Sequence, residues 1–289
     1  MEMIIVTGHK IRKFFLTALI LLSANLYVQA QSSGVPYTKD LLIFINAYFN
    51  HDMVSQSKSE TLYSKAVSKI PDDFSEYQTE THLARCDFYR GMNILATYDL
   101  TDLEHALDDP KVEYVDPKEE AKRIKAEANV YFDKALVHAD KAILLNPLNG
   151  SDAYTIYSQI ICANVTTRST GYAIGNGLKI SQYAKKALKI NPNDATASYS
   201  AYSQDVYAPG SLGNPVRGRK MMLSFLENEN LVCQKFDTFN YTCAVAYTYY
   251  RQQNYEDALV WYKKCLKIYP NNVASNNMLK KCKAQLESD

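Results

Sequence analysis

The chain has 289 residues, of which 47% are hydrophobic and 22% are charged, and its formal net charge at pH 7 is +1. This composition indicates a folded protein and excludes a disordered one. Because the charges nearly balance and the lysines form no clustered basic surface, we expect no nucleic-acid partner. The chain contains only 10 glycines and 9 prolines. So few turn-forming residues favour helices.

Residues 1–30 have the pattern of a signal peptide. A basic stretch at 9–13 precedes an apolar run at 14–28, and a small-residue pattern ends at Ala30, where we predict cleavage. The apolar run is shorter than the ~20 residues that a membrane-spanning helix needs. We therefore predict a periplasmic or secreted protein with no stable membrane span after cleavage. Residues 31–36 would form a short linker.

The cysteines also bear on an exported location. All six lie beyond the predicted signal peptide, at Cys86, Cys162, Cys233, Cys243, Cys265 and Cys282. An even number in an exported protein allows disulfides. None has C-x-x-C spacing, and four stand in helical apolar patterns, where cysteine commonly acts as a small core residue. Buried free thiols are thus favoured over a disulfide framework, and Cys233 with Cys243 is the first pair to test.

The segment 239–270 has a spacing that predicts two packed helices. Ala246 and Ala258 fall on facing helices joined by a short turn at 252–254. Two helices approach closely only where the side chains between them are small. Pro270 cannot continue the second helix, which is therefore expected to end just before it.

This segment resembles the tetratricopeptide repeat (TPR). Ala246 and Ala258 stand at the two small positions of that family. Tyr249 and Tyr262 stand at its aromatic positions, and Pro270 stands at its terminating proline. The resemblance implies helical hairpins that stack into a solenoid.

Prolines end four such segments, at Pro71, Pro147, Pro192 and Pro270. The intervals between successive prolines are 76, 45 and 78 residues. Each interval is longer by about ten residues than uninterrupted repeats of about 34 residues would give. We assign the excess to inserted loops near 98–116, 166–177 and 207–215, with a turn at Gly175–Gly177.

These segments together predict an all-α fold for residues 37–289. The predicted architecture is an α-solenoid of about five TPR-like helical hairpins, at 37–71, 72–147, 148–192, 193–232 and 236–270. A polar helix at 272–287 would cap the end of the stack, where no further hairpin covers it.

Residues 207–218 carry a second resemblance. They resemble the aromatic, Pro, Leu-Gly-Gly-Asp-Pro signature of a group of exported bacterial TPR proteins, with Asn214 where aspartate is commoner. That group includes the periplasmic subunit associated with TRAP-type transporters, so the resemblance implies a transporter-associated role. From the residues themselves, we expect Asn214 to cap the next helix and Pro215 to occupy its first position.

Sequence motifs of catalysis are missing from the chain. It has no Gly-rich phosphate loop, no H-E-x-x-H or C-x-x-C metal spacing and no G-x-S-x-G elbow. We therefore predict no cofactor, no metal and no enzymatic activity. Two alternatives stay open. One is an enzyme with an unrecognised site in the acidic segment 98–116 or near Arg85, Asp87 and Arg90, and the other is a structural oligomerisation module.

The 23 tyrosines suit a binding protein, since tyrosine offers a large rigid surface and a hydroxyl group. In TPR proteins the first helix of each hairpin lines the concave groove. The resemblance thus implies six groove candidates: Gln159, Tyr202, Asp205, Tyr247, Tyr250 and Arg251. We predict a scaffold that binds a protein or peptide partner, or a small apolar ligand, through this groove. A homo-oligomer is also compatible with the sequence.

Overall fold

The computed structural model describes four stretches of the chain, residues 34–52, 56–97, 117–208 and 210–288. The chain divides into two units, Met1–Pro36 and Tyr37–Asp289, and every described helix belongs to the second. The predicted signal peptide and the predicted acidic loop at 98–116 lie outside the described residues.

The described part of the chain consists of eleven α-helices and one 3-10 helix, with no strand, which confirms the all-α prediction. The first six are α1 Lys39–Phe49, α2 Gln56–Ser68, α3 Glu76–Thr97, α4 Pro117–Leu145, α5 Ser151–Thr167 and α6 Thr170–Ile190. The others are α7 Ala195–Tyr207, the 3-10 helix Gly210–Leu212, α8 Pro215–Leu226, α9 Lys235–Arg251, α10 Tyr255–Ile268 and α11 Val273–Ser288. None of these helices is both long and apolar enough to cross a membrane.

Five helical hairpins form from consecutive helices. Helices α1 and α2, α3 and α4, α5 and α6, α7 and α8, and α9 and α10 pack against each other in turn, and α11 packs on α10. In the fifth hairpin Ala246 and Ala258 have no exposed surface, as the close approach of the two helices requires. The predicted solenoid of five hairpins with a capping helix is therefore confirmed.

The first helices of the five hairpins form a closed ring within this unit. Each inner helix, α1, α3, α5, α7 and α9, contacts the next, and α9 also contacts α1. The aromatic ring of Phe49, at the end of α1, stacks on the rings of Tyr269 and Phe236 with centroid distances of 5.5 and 5.9 Å. The Nδ2 atom of Asn272 donates a hydrogen bond of 2.7 Å to the Phe49 carbonyl. The first hairpin is thereby joined to the end of the last.

The structure differs from the loop predicted at 166–177. Helix α5 ends at Thr167 and α6 begins at Thr170, so the predicted turn at Gly175–Gly177 is wrong and both glycines lie inside α6. The side chain of Ser169 caps α6 at its N-terminus. A Cβ atom on either glycine would meet no neighbour, so the glycines cause no close packing here. The extra residues lengthen the two helices instead of forming a loop.

The segment 207–215 does form a turn, which contains the 3-10 helix. As expected, the side chain of Asn214 accepts a hydrogen bond of 3.0 Å from the backbone N–H of Arg217, and Pro215 is the first residue of α8. The chain folds back so tightly that a Cβ atom on Gly213 would lie 2.6 Å from a backbone oxygen. Only glycine fits there without displacing the backbone.

Candidate binding cavity

The ring of inner helices surrounds two adjoining cavities. The large cavity, of about 540 Å³, lies among α1, α3, α4, α7, α9, α10 and α11. The small cavity, of about 300 Å³, lies among the five inner helices and α6. Five residues line both of them: Tyr48, Phe49, Met92, Leu95 and Asn240. The interior of the ring is therefore one continuous region with two compartments.

Aromatic and sulfur-containing side chains dominate the wall of the large cavity. Its large apolar or aromatic residues are Tyr48, Phe49, Met92, Leu95, Ile124, Tyr207, Phe239, Tyr247, Tyr262 and Met278. The rings of Tyr207 and Tyr247 stack with a centroid distance of 5.2 Å, and the hydroxyl groups of Tyr199 and Tyr207 are hydrogen-bonded at 3.0 Å. Such a wall offers a rigid apolar surface to a ligand.

Few polar groups line the large cavity. Asn272 is engaged in the wall itself, because its Oδ1 accepts a hydrogen bond of 2.9 Å from the backbone N–H of Ser275. Lys125, on the exposed side of α4, is the single Lys, Arg, Asp or Glu among the described lining residues. Burial raises the pKa of Tyr48 to about 12, so its hydroxyl group is neutral and can donate a hydrogen bond at neutral pH.

Two of the six predicted groove residues line these cavities. Gln159 lines the small cavity and Tyr247 lines the large one. Tyr250 packs on Tyr247, with their ring centroids 6.4 Å apart. Tyr202 packs on Phe225 at 5.7 Å, within the fourth hairpin.

The two charged groove candidates hold other parts of the scaffold. Both carboxylate oxygens of Asp205 accept hydrogen bonds from Arg217, at 2.6 and 2.7 Å, which fixes the turn between α7 and α8. Arg251 donates a hydrogen bond of 2.6 Å to the carbonyl of Val206 and thereby ties the end of α9 to the end of α7. The structure thus places both charges around the ring rather than among the residues that line the two cavities.

The sequence did not indicate several cavity residues. Tyr48, Phe49 and Met92 come from α1 and α3, the inner helices of the first two hairpins, and Ser275 and Met278 come from the capping helix. The rule that inner helices face the groove predicts Tyr48, Phe49 and Met92 once the first two hairpins are aligned with the repeat. Ser275 and Met278 reach the cavity only because α11 begins beside α1, which is a long-range contact.

The residues considered for an enzyme site have separate partners. Arg85 forms an ion pair of 2.5 Å with Asp152 and lies over the ring of Tyr37. Asp87 accepts a hydrogen bond from a tyrosine of α2, and Arg90 pairs with a serine and a glutamate of α2. In the described stretches no group of three or more His, Cys, Asp or Glu residues could hold a metal ion. These residues connect neighbouring hairpins.

Buried and half-buried carboxylates lie at the end of the ring at which the inner helices begin. Asp152, Asp194 and Asp237 lie at the starts of α5, α7 and α9. Asp194 and Asp237 each accept a hydrogen bond of 2.6 Å from a threonine on the preceding inner helix. Burial is the main cause that raises the pKa of Asp194 to about 6 and that of Asp237 to about 7. Arg85 supplies positive charge to this cluster.

The structure also gives a different cysteine pair. Cys233 is exposed in the loop before α9, whereas the Sγ atom of Cys243 lies 2.9 Å from the Sγ atom of Cys265 on the facing helix. The first pair to test for a disulfide is therefore Cys243 with Cys265, and not Cys233 with Cys243.

Comparison with known proteins finds a family match in the fifth hairpin. Residues 243–272, in α9, α10 and the turn after them, match the tetratricopeptide repeat family. The solved structure of a thermophilic TPR protein from Thermus thermophilus is similar, with a TM-score of 0.44 and 20% identity over 71% of this chain and 98% of that one. No curated protein sequence matches the chain. The fifth of the five stacked hairpins therefore contains a tetratricopeptide repeat.

Proposed function

We propose that this protein is an exported, non-catalytic TPR scaffold that binds a small apolar carboxylic acid in the large cavity. The TPR fold is typical of protein-interaction scaffolds. In this chain the inner helices also close into a ring, which encloses a space. The observation that carries the proposal is the aromatic cavity of about 540 Å³ inside the ring. Its size lies within the range of about 300–1,000 Å³ that is typical of small-molecule sites.

Ring closure favours a small ligand over an extended peptide. In an open solenoid the inner helices line a groove along which a peptide can lie. Here α1 contacts α9, and Phe49 and Tyr269 pack against each other where the groove would otherwise be open. A peptide lying across the inner helices would have to separate these residues, whereas a compact ligand would not.

The charged residue Lys125 in the cavity wall indicates the chemistry of the ligand's polar end. Lys125 contributes a cation at the exposed side of an otherwise uncharged apolar cavity. A ligand with an apolar body and one carboxylate would place its body among Tyr247, Met92 and Met278 and its charge beside Lys125. The amide Asn240, at the junction of the two cavities, offers a further hydrogen-bonding group.

Export and a transporter-associated role belong to the same proposal. The signal-peptide pattern of residues 1–30 supports export. The resemblance of residues 207–218 to exported TPR proteins supports an association with a transporter in the cell envelope. Tyr207, the aromatic residue of that motif, lines the large cavity, which connects the motif to the ligand site.

Isothermal titration calorimetry tests the proposal. The mature protein would be titrated with octanoate, decanoate and dodecanoate, and with the corresponding neutral amides. We expect the acids to bind, Tyr247→Ala to weaken binding by about tenfold or more, and Lys125→Gln to weaken binding of the acids by about threefold. Lys125→Gln should leave the affinity for the amides unchanged.

Two matched variants control this experiment. Lys122→Gln removes a lysine from the same helix outside the large cavity, and Tyr255→Ala removes a tyrosine that packs on Tyr250 outside it. Both should bind the acids like the natural protein. Absence of binding to acids and amides alike, or binding confined to extended apolar peptides, would overturn the proposal.

A further inference from the structure

Two cysteines face each other inside the matched repeat. Cys243 lies on α9 and Cys265 lies on α10, and their Sγ atoms are 2.9 Å apart. Cys265 has no exposed surface, whereas Cys243 lines the large cavity. The Oγ atom of Ser275 lies 3.6 Å from the Sγ atom of Cys243. All six cysteines are in the described residues, and this is the one pair within hydrogen-bonding distance.

We propose that Cys243 and Cys265 form a redox-active dithiol, which a small organic disulfide entering the large cavity oxidises to an intrachain disulfide. A disulfide bond is about 2.05 Å long, so the two sulfur atoms would approach by less than about 1 Å. Both residues lie within packed helices, so the backbone already holds them side by side. The site does not depend on the ligand proposed above.

The two thiols have different roles in the oxidation. Cys243 is the attacking group, because it is the one that the cavity reaches. Its thiolate attacks one sulfur of the small disulfide, forms a mixed disulfide and releases one thiolate of the reagent. Cys265 then attacks the Sγ atom of Cys243 and releases the second thiolate. Two cysteine thiols and one disulfide thus give one intrachain disulfide and two reagent thiols, and the protons of the cysteines pass to the two reagent thiolates.

Burial makes Cys265 suitable for the second step only. The pKa of Cys265 is raised well above the ordinary value of a thiol, chiefly by its hydrogen bond with Cys243 and to a smaller extent by burial. It therefore stays protonated and unreactive toward reagents in solution. Once Cys243 carries the mixed disulfide, the second attack is intramolecular over a very short distance, so the mixed disulfide should not accumulate.

Peptide mapping after oxidation tests the proposal. The variant Cys233→Ser, which lacks the exposed thiol, would be treated with 2-hydroxyethyl disulfide, alkylated and digested with trypsin. Cleavage after Arg251, Lys263 and Lys264 separates the two cysteines into peptides 236–251 and 265–267. We expect these two peptides to be recovered linked, and the intact protein to lose two hydrogen atoms. Recovery of the two peptides apart would overturn the proposal.

Two further variants distinguish the proposed roles. With Cys265→Ala, a substitution suited to a buried helix interface, Cys243 should retain one hydroxyethylthio group. With Cys162→Ala, which removes the cysteine that lines the small cavity, the linked peptides should form as before. Circular dichroism would confirm that each variant is folded. The linked form should also melt about 5 °C or more above the reduced form.

Discussion

Tyr269 and Asn46 lie 223 positions apart in the sequence, yet the hydroxyl group of Tyr269 donates a hydrogen bond to the Oδ1 atom of Asn46. Tyr269 ends the last hairpin, and Asn46 lies in the first helix of the first hairpin. Together with Asn272 and Phe49, they close the inner helices into a ring. The closure separates this chain from an open solenoid, in which the first and last repeats never meet.

The first prediction concerns this closure. Tyr269→Phe removes the hydroxyl group and takes this donor away from the Oδ1 atom of Asn46. We expect a loss of about 1–2 kcal/mol in the free energy of unfolding, which lowers the melting temperature by about 2–8 °C. Differential scanning calorimetry measures this change in melting temperature. Tyr154→Phe, which removes a local hydrogen bond to the Pro147 carbonyl seven residues away, should have a smaller effect. Equal effects would contradict the role of Tyr269 in closure.

A second prediction concerns the buried charge at the start of the inner helices. Arg85→Met removes the cation that pairs with Asp152, which is also the positive charge that acts on Asp194 and Asp237. We expect the free energy of unfolding in urea to fall by about 3–5 kcal/mol. In the double variant Arg85→Met/Asp152→Asn, part of this loss should be regained, since no carboxylate remains at position 152.

An exposed arginine serves as the control for Arg85. Arg123 pairs with Glu120 and Glu127 on the same helix, and its side chain is 52% exposed. Because exposed ion pairs contribute little, Arg123→Met should change the free energy of unfolding by at most about 0.5 kcal/mol. If Arg85→Met were as mild as Arg123→Met, the buried pair would not hold the ring together.

The third prediction is a pH dependence of stability. Burial and the charge of Asp194 raise the pKa of Asp237 from 3.8 to about 7 in the folded state. Between about pH 4 and 7 the unfolded chain has therefore lost this proton while the folded chain keeps it. Stability falls as pH rises through this window, by at most about 1.4 kcal/mol per pH unit for this carboxyl. Asp194, with a pKa of about 6, acts in the same direction.

The variant Asp237→Asn isolates this effect. Asparagine keeps the hydrogen-bonding shape and cannot ionise, so the variant should gain stability over the natural protein at pH 8 and lose that advantage at pH 4. The comparison is necessary because burial lowers the pKa of His82, which makes stability rise with pH over part of the same window. Melting curves from pH 4 to 8 give the difference. A difference that does not change with pH would refute the titration of Asp237.

The fourth prediction contrasts two glycines. Gly175 lies inside α6, where a Cβ atom would meet nothing, so Gly175→Ala should stabilise the protein by about 0.5–1 kcal/mol through helix propensity. In Gly213→Ala, the new methyl group would lie 2.6 Å from a backbone oxygen, and we expect a loss of stability. Urea unfolding of both variants checks the opposite signs. A gain at position 213 would contradict the tight turn after α7.

Local patterns were sufficient to predict the hairpins. Ala246, Ala258 and Pro270 lie within one repeat, so their spacing alone indicates two close helices and a stop. The cap at Asn214 follows equally from neighbouring residues. The turn predicted at Gly175–Gly177 failed because glycine is only a weak helix breaker. The buried residues Ala184 and Ala187 later in α6, together with the cap at Ser169, outweigh its cost.

The cavity required information that no local pattern contains. Tyr247 and Gln159, which the rule for inner helices selects, are among the residues that line the cavities. The rule could not show that Phe49 would meet Tyr269, because periodicity says nothing about which hairpin curves back to touch the first. The pairing of Cys243 with Cys265 also depends on the rotation of two helices about their axes, which a spacing of 22 residues does not define.

Ring closure determines which contacts can form only late in the synthesis of the chain. An open repeat array gains stability as each hairpin packs on the one before it. Here α1 obtains its contacts with residues 269–272 only when nearly the whole chain exists. At about 5–20 residues per second, that interval lasts roughly 10–45 s. The side of Phe49 that packs on Tyr269 stays uncovered throughout, so the unfinished chain exposes apolar surface to which chaperones can bind.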